Sequence, residues 1–273
     1  MNKVVIISVV IFLSLCIVFN MYDLDISIAL TKHYNGFYEF FDDYGELPIY
    51  VGPIIFGATF FVLAEKNYQK ALCGMITFFA YLIALVKINY NKEIEINFLN
   101  SVISTLEALL LSTLSLFFFS KMKIETLENI KDIAILGCLV TIVSVSLIEI
   151  LKNIWGRVRF RDLSEDYHEF TRLFNINGFN GNKSFPSGHT NAGTSILLLS
   201  LLVPRFSDKK WLKYAIVSIC FVYITILAVS RIVVSAHYAS DVLCGFVVGF
   251  LSICGCYNVL KRRGVINASS NKC

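Results

Sequence analysis

The chain has 273 residues, of which 56% are hydrophobic and 16% are charged, and its formal net charge at pH 7 is +4. This apolar share exceeds that of ordinary soluble domains, so the composition excludes a soluble globular protein. It predicts an integral membrane protein whose helices each present about 20 mostly apolar residues to the bilayer. We therefore expect an all-α, polytopic transmembrane helical bundle.

Eight apolar stretches follow along the chain as candidate membrane spans. They lie at 4–20, 47–64, 71–90, 98–120, 133–151, 190–204, 212–230 and 241–260. The sixth stretch is short and the third ends raggedly, so a count of six or seven is also open. The first stretch could be a signal peptide, but no small-residue cleavage site follows it, and we interpret it as an uncleaved span.

The lysines and arginines of the loops predict the orientation of the spans. If the N-terminus lies in the cytoplasm, every second loop is basic, in agreement with the positive-inside rule. The first loop on the opposite side, 21–46, holds six acidic residues against a single lysine, Lys32. We therefore expect both termini in the cytoplasm.

One outer loop, 152–189, breaks this rule because it is basic. Guanidinium and ammonium groups suit phosphate oxygens, so the loop favours an anionic ligand, although a solvated loop that contacts lipid headgroups is the alternative. Lys152 and Arg159 are seven residues apart, which is close to two helical turns. On a helix they would share a face and could grip one anion together.

The sequence PSGHT at 186–190 directly precedes an apolar run and predicts the start of a helix. Ser187 is a candidate N-cap for this helix. Gly188 would let backbone N–H groups come close to an anion at the positive end of the helix dipole. The turn therefore adds a second candidate anion contact on the outer side.

The segment SRIVVSAHYASD at 230–241 lies between the last two predicted spans. Charged groups at membrane depth are costly unless they are paired, hydrated or used, so this segment needs a reason. Arg231 ends one span, and His237 and Asp241 are four residues apart at the start of the next. Asp241 could accept the Nδ1 proton of His237 and leave Nε2 free as a base or nucleophile.

Together these motifs resemble the type 2 phosphatidic acid phosphatases, whose pattern is K-x6-R-P, then PSGH, then SR-x5-H-x3-D. The chain reads KNIWGRVRF at 152–160, PSGH at 186–189 and SRIVVSAHYASD at 230–241. The resemblance covers about 130–260, implies a catalytic core in the last four helices, and does not place the first four. Phe160 stands where the family has proline, which leaves open how the loop leaves Arg159.

The resemblance implies that His237 attacks phosphorus to form a phosphohistidine, that His189 protonates the leaving oxygen, and that water completes the reaction. It implies a phosphate site formed by five residues: Lys152, Arg159, Ser187, Gly188 and Arg231. Positive donors around the phosphate oxygens are what phosphoryl transfer needs, so we expect neither metal nor cofactor. In the sequence, no carboxylate cluster with divalent-ion spacing accompanies His33 or His168, which we expect to be exposed loop residues.

We expect three parts: N-terminal transmembrane helices with an outer interfacial segment (1–131), the phosphatase core (132–263) and a cytoplasmic tail (264–273). The predicted function is hydrolysis of the terminal phosphate of a lipid phosphate or diphosphate at the outer face of a bacterial plasma membrane. The candidate substrates are undecaprenyl diphosphate, phosphatidic acid, phosphatidylglycerol phosphate and a phosphorylated lipid A or sphingoid base. The lipid and the bilayer are the expected partners, without nucleic acid, and the oligomeric state is open. A lipid phosphotransferase and a membrane transporter are the alternatives.

Other polar residues have two possible interpretations each. Arg157 and Arg161 could extend the phosphate site or contact headgroups or a neighbouring aspartate. Glu107 lies inside the fourth predicted helix, where a functional role and a structural role with nearby hydroxyl groups are both open. The aromatic and acidic segment 34–50 predicts an interfacial helix or cap beside the catalytic mouth, either lining the route of the lipid or anchoring the chain.

Overall fold

The computed structural model of the chain describes residues 3–95 and 97–266. In this part of the chain all regular secondary structure is helical, which confirms the all-α prediction. The α-helices are α1 (Lys3–Leu30), α2 (Gly36–Tyr44), α3 (Leu47–Leu63), α4 (Asn67–Asn91), α5 (Phe98–Ser120), α6 (Ile124–Trp155), α7 (Gly188–Thr194), α8 (Leu199–Phe206), α9 (Lys210–Val233) and α10 (Ala239–Arg262). Three short 3-10 helices lie at Thr31–His33, Phe160–Asp162 and Ser195–Leu198.

Seven helical segments of the described chain are long and apolar enough to cross a membrane, so the protein is an integral membrane protein. The predicted span at 190–204 is not one of them. It is an interrupted helix in which α7, the 3-10 helix Ser195–Leu198 and α8 follow one another directly. The eight predicted spans therefore correspond to seven long segments and this interrupted helix.

Local sequence signals explain several helix ends. Asn35 precedes α2, and its Oδ1 accepts a hydrogen bond from the N–H of Phe37 at 3.0 Å. α6 ends at Gly156, which adopts a left-handed conformation with φ +53°. A side chain is strained at such a φ, and a Cβ would also overlap the carbonyl oxygen of Gly178. Glycine thus lets the chain turn sharply at the point where the basic loop begins.

The packed interior lies between the helices of the C-terminal half. One apolar cluster joins side chains of α6, α9 and α10, including Val140, Ile224 and Ile253. α3 packs against both α4 and α6, and α5 packs on the outside of α3 and α4. The exposed side chains of α5, such as Leu110 and Phe117, suit contact with lipid tails.

The expected division of the chain into three functional parts, with boundaries after 131 and 263, is not tested by the helix packing and stays a prediction. Residues 267–273 of the predicted tail lie outside the described residues. The side of the membrane that each end faces is likewise a prediction from the lysine and arginine distribution.

The backbones of α3 and α6 come into direct contact at Gly52 and Gly137. A Cβ on Gly52 would lie 2.5 Å from the carbonyl carbon of Gly137. Because small residues allow transmembrane helices to approach closely, this pair fixes how the N-terminal helices meet the C-terminal ones.

We predict that Gly52→Ala lowers the melting temperature of the protein in detergent, because the added methyl group forces α3 away from α6. Overpacking of this kind costs about 1–3 kcal/mol. Gly74→Ala on α4 is the matched control, since a Cβ there would meet nothing closer than 3.8 Å. Equal melting temperatures for the two variants would contradict the importance of this contact.

Candidate active site

The three sequence motifs meet at one end of the helix bundle. The carbonyl oxygen of Ser184 lies 2.6 Å from Nδ1 of His237, which joins the second motif to the third. A Cβ built on Gly188 would lie 3.2 Å from Nζ of Lys152, so the first motif reaches the second. The C-terminal end of α6, the N-terminal end of α7 and the turn between α9 and α10 therefore form one pocket.

Ser187 caps α7, as the sequence predicts. Its Oγ accepts hydrogen bonds from the N–H of Thr190 at 3.3 Å and from Oγ1 of Thr190 at 3.0 Å. Its own N–H donates to the carbonyl oxygen of Asp241 at 3.0 Å. The buried hydroxyl is thus occupied in shaping the turn, and a direct contact with phosphate stays a prediction.

His237 lies in the turn between α9 and α10 and is 3% exposed. Because a carbonyl oxygen only accepts hydrogen bonds, the Ser184 contact places the proton on Nδ1 and leaves a lone pair on Nε2. The structure differs here from the expected contact with Asp241, whose Oδ2 is 3.8 Å from Nδ1. Burial lowers the pKa of His237 to about 3, so the ring is neutral at physiological pH.

Asp241 acts on His237 through a neighbour. Its Oδ2 accepts hydrogen bonds from Oγ of Ser184 at 2.6 Å and from the N–H of Tyr238 at 3.0 Å. Its Oδ1 accepts from Nη1 of Arg157 at 2.7 Å. Asp241 therefore fixes Ser184, and the carbonyl group of Ser184 orients the imidazole.

Arg157 is completely buried and has a structural role. Its Nη1 and Nη2 form ion pairs with Asp241 at 2.7 Å and with Asp23 at 2.9 Å. Its Nε donates to the carbonyl oxygen of Thr171 at 2.8 Å, and its guanidinium carbon lies 4.0 Å from the ring centre of Tyr238. Every nitrogen of the side chain is in use, which does not support the alternative of a direct contact with substrate.

Asp23 is a site residue that sequence reasoning missed. The prediction of an outer loop at 21–46 is wrong for its first part, because α1 continues to Leu30 and Asp23 lies within it. The buried carboxylate pairs with Arg157 and accepts hydrogen bonds from Oγ and, at 2.9 Å, from the N–H of Ser240. An aspartate within an apolar helix needs a cationic partner, so the position of Asp23 in the sequence could have indicated this ion pair.

His189 is also buried, at the start of α7, and it faces the N-terminal half of the chain. Its Nδ1 lies 2.9 Å from Oε1 of Glu46. Its Nε2 lies 2.9 Å from the backbone carbonyl oxygen of Asp42 and 3.3 Å from Nδ2 of Asn91. These three partners come from α2, the residue before α3 and the end of α4, where no motif had indicated a site.

Arg231 lies in the last turn of α9, next to both histidines. Its Nη1 pairs with Oδ1 of Asp42, and that carboxylate oxygen lies 3.7 Å from Nε2 of His189. Its backbone carbonyl oxygen accepts the N–H of His237 at 3.1 Å. Its buried Nε has no hydrogen-bond partner among the described residues, so this donor is available to an anion.

Two further cations complete the pocket. Lys152 is largely buried, and its Nζ lies 3.5 Å from Oε1 of Glu149. Arg159 is partly buried and forms no ion pair within the described chain. The positive charges of Arg231 and Arg159 add to the effect of burial in lowering the pKa of His237, and Asp241 opposes them.

A comparison with known protein families agrees with the motifs. Residues 134–264 match the model of the PAP2 superfamily. This region belongs to the PAP2 superfamily. The resemblance to type 2 phosphatidic acid phosphatases is therefore confirmed for the C-terminal half of the chain.

Curated proteins similar to the chain include two lipid A 1-phosphatases, from Rhizobium etli and Rhizobium johnstonii. Each is 33% identical to the chain over 107 residues. Each match covers 38% of the chain. It covers 40% of the R. etli protein and 38% of the R. johnstonii protein. The chain thus spans about two fifths of the length of the curated relatives it matches. No solved structure matches the chain at a significant level.

Phe160, which replaces the proline of the PAP2 pattern, begins the 3-10 helix Phe160–Asp162 directly after Arg159. Its ring stacks on Tyr167, with 5.9 Å between the ring centres, and meets the edge of Tyr238 at 6.4 Å. Aromatic packing, instead of a fixed proline φ, therefore defines how the loop leaves Arg159.

Two other polar features lie apart from the PAP2 motifs. Glu107 is exposed on α5 and has no hydrogen-bond or ion-pair partner in the described chain. Asp166, His168 and Glu169 bring their ligand atoms within 4.8 Å of one another on the loop, which corrects the expectation that no carboxylate cluster accompanies His168. These three side chains bond to one another and to Ser164, because two carboxylates stand within two residues of the imidazole.

An apolar cavity of about 590 Å³ lies beside the PAP2 pocket. One end is lined by Phe41 and Gly45, which directly adjoin the site residues Asp42 and Glu46. From there it extends between α3, α6 and α9 to residues such as Phe206 at the far end of α8. The charged pocket and an apolar space within the bundle are thus neighbours.

We predict that Arg157→Met strongly destabilises the protein, because it leaves the carboxylates of Asp23 and Asp241 buried without a cation. Removing one partner of a buried ion pair costs about 3–5 kcal/mol. Arg161→Met is the control, since this side chain is 45% exposed. Melting temperatures in detergent measure the effect, and a variant of Arg157 as stable as that of Arg161 would refute the structural role.

Proposed function

We propose that the protein is a membrane phosphatase that removes the terminal phosphate of a lipid phosphate or diphosphate. One observation carries this proposal: at one end of a transmembrane bundle, the neutral ring of His237 keeps its Nε2 lone pair free, and the positive charges of Arg159 and Arg231 act on this ring. The PAP2 match and the names of the curated relatives support the same class of reaction. Both motif histidines and the completely buried ion pairs of Arg157 gather at this end, which favours a catalytic pocket over a solute path through the bundle.

The proposed reaction has two steps. Nε2 of His237 attacks phosphorus, the bond to the leaving oxygen breaks, and His189 gives that oxygen a proton. Water then attacks the phosphohistidine while His189 takes a proton from it, and inorganic phosphate leaves. The Ser184 carbonyl group keeps the proton on Nδ1 of His237 until attack and stabilises the positive charge that develops on the ring.

Lys152, Arg159 and Arg231 are the proposed ligands of the non-bridging oxygens. Charge on these oxygens is stabilised by preorganised donors in a pocket that excludes water, so no metal is needed. Gly188 keeps the space in front of Lys152 free of a side chain. Asp42 must share or yield Nη1 of Arg231 when a phosphate binds.

A lipid substrate is supported by the apolar cavity beside the pocket, which offers room for a hydrocarbon chain. Undecaprenyl diphosphate, phosphatidic acid, phosphatidylglycerol phosphate and a lipid A 1-phosphate share this chemistry of an anionic head and an apolar tail. We propose that the site faces the outer side of a bacterial plasma membrane, on the strength of the lysine and arginine distribution. Release of inorganic phosphate from a panel of these lipids in detergent tests the class and the substrate together.

We predict that His237→Ala abolishes phosphate release, lowering kcat by roughly a thousandfold or more, because it removes the nucleophile. His168→Ala is the control, since this imidazole lies on the exposed loop outside the pocket. Phosphate release from the best lipid of the panel measures both variants, with gel filtration as a check of folding. Undiminished release by a folded His237→Ala protein would exclude the phosphohistidine mechanism.

The pH dependence of kcat/KM should be limited by His189 on the alkaline side. Burial lowers the pKa of His237 to about 3, so this ring is already neutral, as attack requires, at any higher pH. His189 must be protonated to donate, so kcat/KM falls as pH rises through its pKa. The profile is measured from pH 4 to 9. A loss on the acid side that follows protonation of His237 would contradict this assignment.

A further inference from the structure

The N-terminal half of the chain, outside the PAP2 region, reaches His189 through the corner between α2 and α3. Glu46 is the residue directly before α3, and its side chain is 13% exposed. Its Oε1 lies 2.9 Å from Nδ1 of His189. On the other side of the ring, Nε2 lies 2.9 Å from the carbonyl oxygen of Asp42. Both ring nitrogens therefore contact oxygens supplied by a single short segment.

These two contacts define a protonation state. A carboxylate and a carbonyl oxygen only accept hydrogen bonds, so both contacts of His189 are made together when both ring nitrogens carry protons. Nδ2 of Asn91, which also lies near Nε2, donates to the same carbonyl oxygen of Asp42 at 3.0 Å. These two contacts therefore suit an imidazolium, which is the form that a general acid needs, and they oppose burial, whose net effect is to lower the pKa of His189.

The charged groups around His189 act in opposite directions. Burial, followed by the positive charge of Arg231, lowers the pKa of His189, and the carboxylates of Glu46 and Asp42 raise it. Lys152 adds a further positive charge near Gly188. The carboxylate of Glu46 lies 2.9 Å from Nδ1 of His189, closer than the 3.7 Å between Oδ1 of Asp42 and Nε2, so of the two carboxylates it opposes the effect of burial more directly.

We propose that Glu46 is the positioning residue of the general acid: it holds His189 by Nδ1 and stabilises its protonated form. This role rests on the proposed phosphatase function. In the first step the bond between phosphorus and the leaving oxygen breaks, and its electron pair stays on that oxygen. Nε2 of His189, which lies beside the Asp42 carbonyl group, gives the leaving oxygen its proton. His189 is then neutral, keeps its Nδ1–H bond to Glu46, and takes a proton from water at Nε2 in the second step.

The first test is the pH profile of kcat/KM. Glu46→Gln keeps a hydrogen-bond acceptor but removes the charge, so the alkaline limb should move toward acid by about one pH unit or more. Glu46→Asp keeps the charge and should restore most of the limb. Glu39→Gln removes an equal charge from the exposed face of α2 and should leave the profile unchanged.

The second test is the dependence on the leaving group. An alkoxide leaving group needs a proton more than a nitrophenolate does, so Glu46→Gln should lose more activity on a lipid phosphate than on p-nitrophenyl phosphate. A merely structural role of Glu46 would lower both activities by the same factor.

The third test reads His189 without turnover. The chain has four histidines, so NMR of histidine-labelled protein can follow each titration. Glu46→Gln should lower the pKa of His189, and Glu39→Gln should not. If the wild type releases no phosphate from any lipid while this difference is observed, the proposed function fails and the coupling of Glu46 to His189 stands.

An active wild type whose pH limb, leaving-group dependence and His189 titration are all unchanged in Glu46→Gln would overturn the positioning role. If Glu46→Gln does not fold, Lys87→Met provides the measurement, because Nζ of Lys87 lies 3.5 Å from Oε2 of Glu46 and is partly exposed. Removing this cation strengthens the effect of Glu46, so the alkaline limb should move to higher pH. A limb that does not move, or moves toward acid, would count against the role.

Discussion

A buried arginine connects the two halves of the molecule at the candidate site. Arg157 lies between Asp23 on α1 and Asp241 on α10, without access to solvent. Charges in such surroundings are stable only with well-placed partners, so the three segments are held in one geometry. Through Asp241 the same network fixes Ser184, whose carbonyl group orients His237. The orientation of the proposed nucleophile thus depends on an ion pair that never contacts the substrate.

The two histidines of the pocket occupy contrasting surroundings. His237 has a carbonyl group on Nδ1, and burial together with nearby guanidinium groups favours its neutral form. His189 lies between a carboxylate and a carbonyl oxygen, which suit a ring with two protons. Burial lowers the pKa of both rings, and among the described residues only at His189 does a carboxylate within hydrogen-bond distance of a ring nitrogen oppose this effect. Chain position alone would not separate their roles.

The apolar composition was enough to predict the all-α fold. The positions of the motifs were enough to predict that Lys152 meets the histidine segments, because polar motifs at the ends of apolar spans collect at a membrane surface. The motifs left the role of Arg157 open beside that of Arg159. Burial distinguishes these two arginines, and burial is not visible in the sequence. The segment 34–50 was predicted to lie beside the catalytic mouth, but no motif marks Glu46, so its contact with His189 could not be foreseen. The choice of the Ser184 carbonyl group as the acceptor was also hidden, because backbone acceptors leave no pattern in a sequence.

Helix α2 borders two different spaces. Phe41 and Gly45 line the apolar cavity, while Asp42, between them, pairs with Arg231. The helix is nine residues long and is held to α9 by Tyr223, whose hydroxyl group donates to the carbonyl oxygen of Gly45 at 3.2 Å. A hydrocarbon chain that displaced this helix on entering the cavity would also move the Asp42 carboxylate relative to the guanidinium group of Arg231. Occupancy of the apolar space and the pairing of Arg231 are thereby coupled through one short helix.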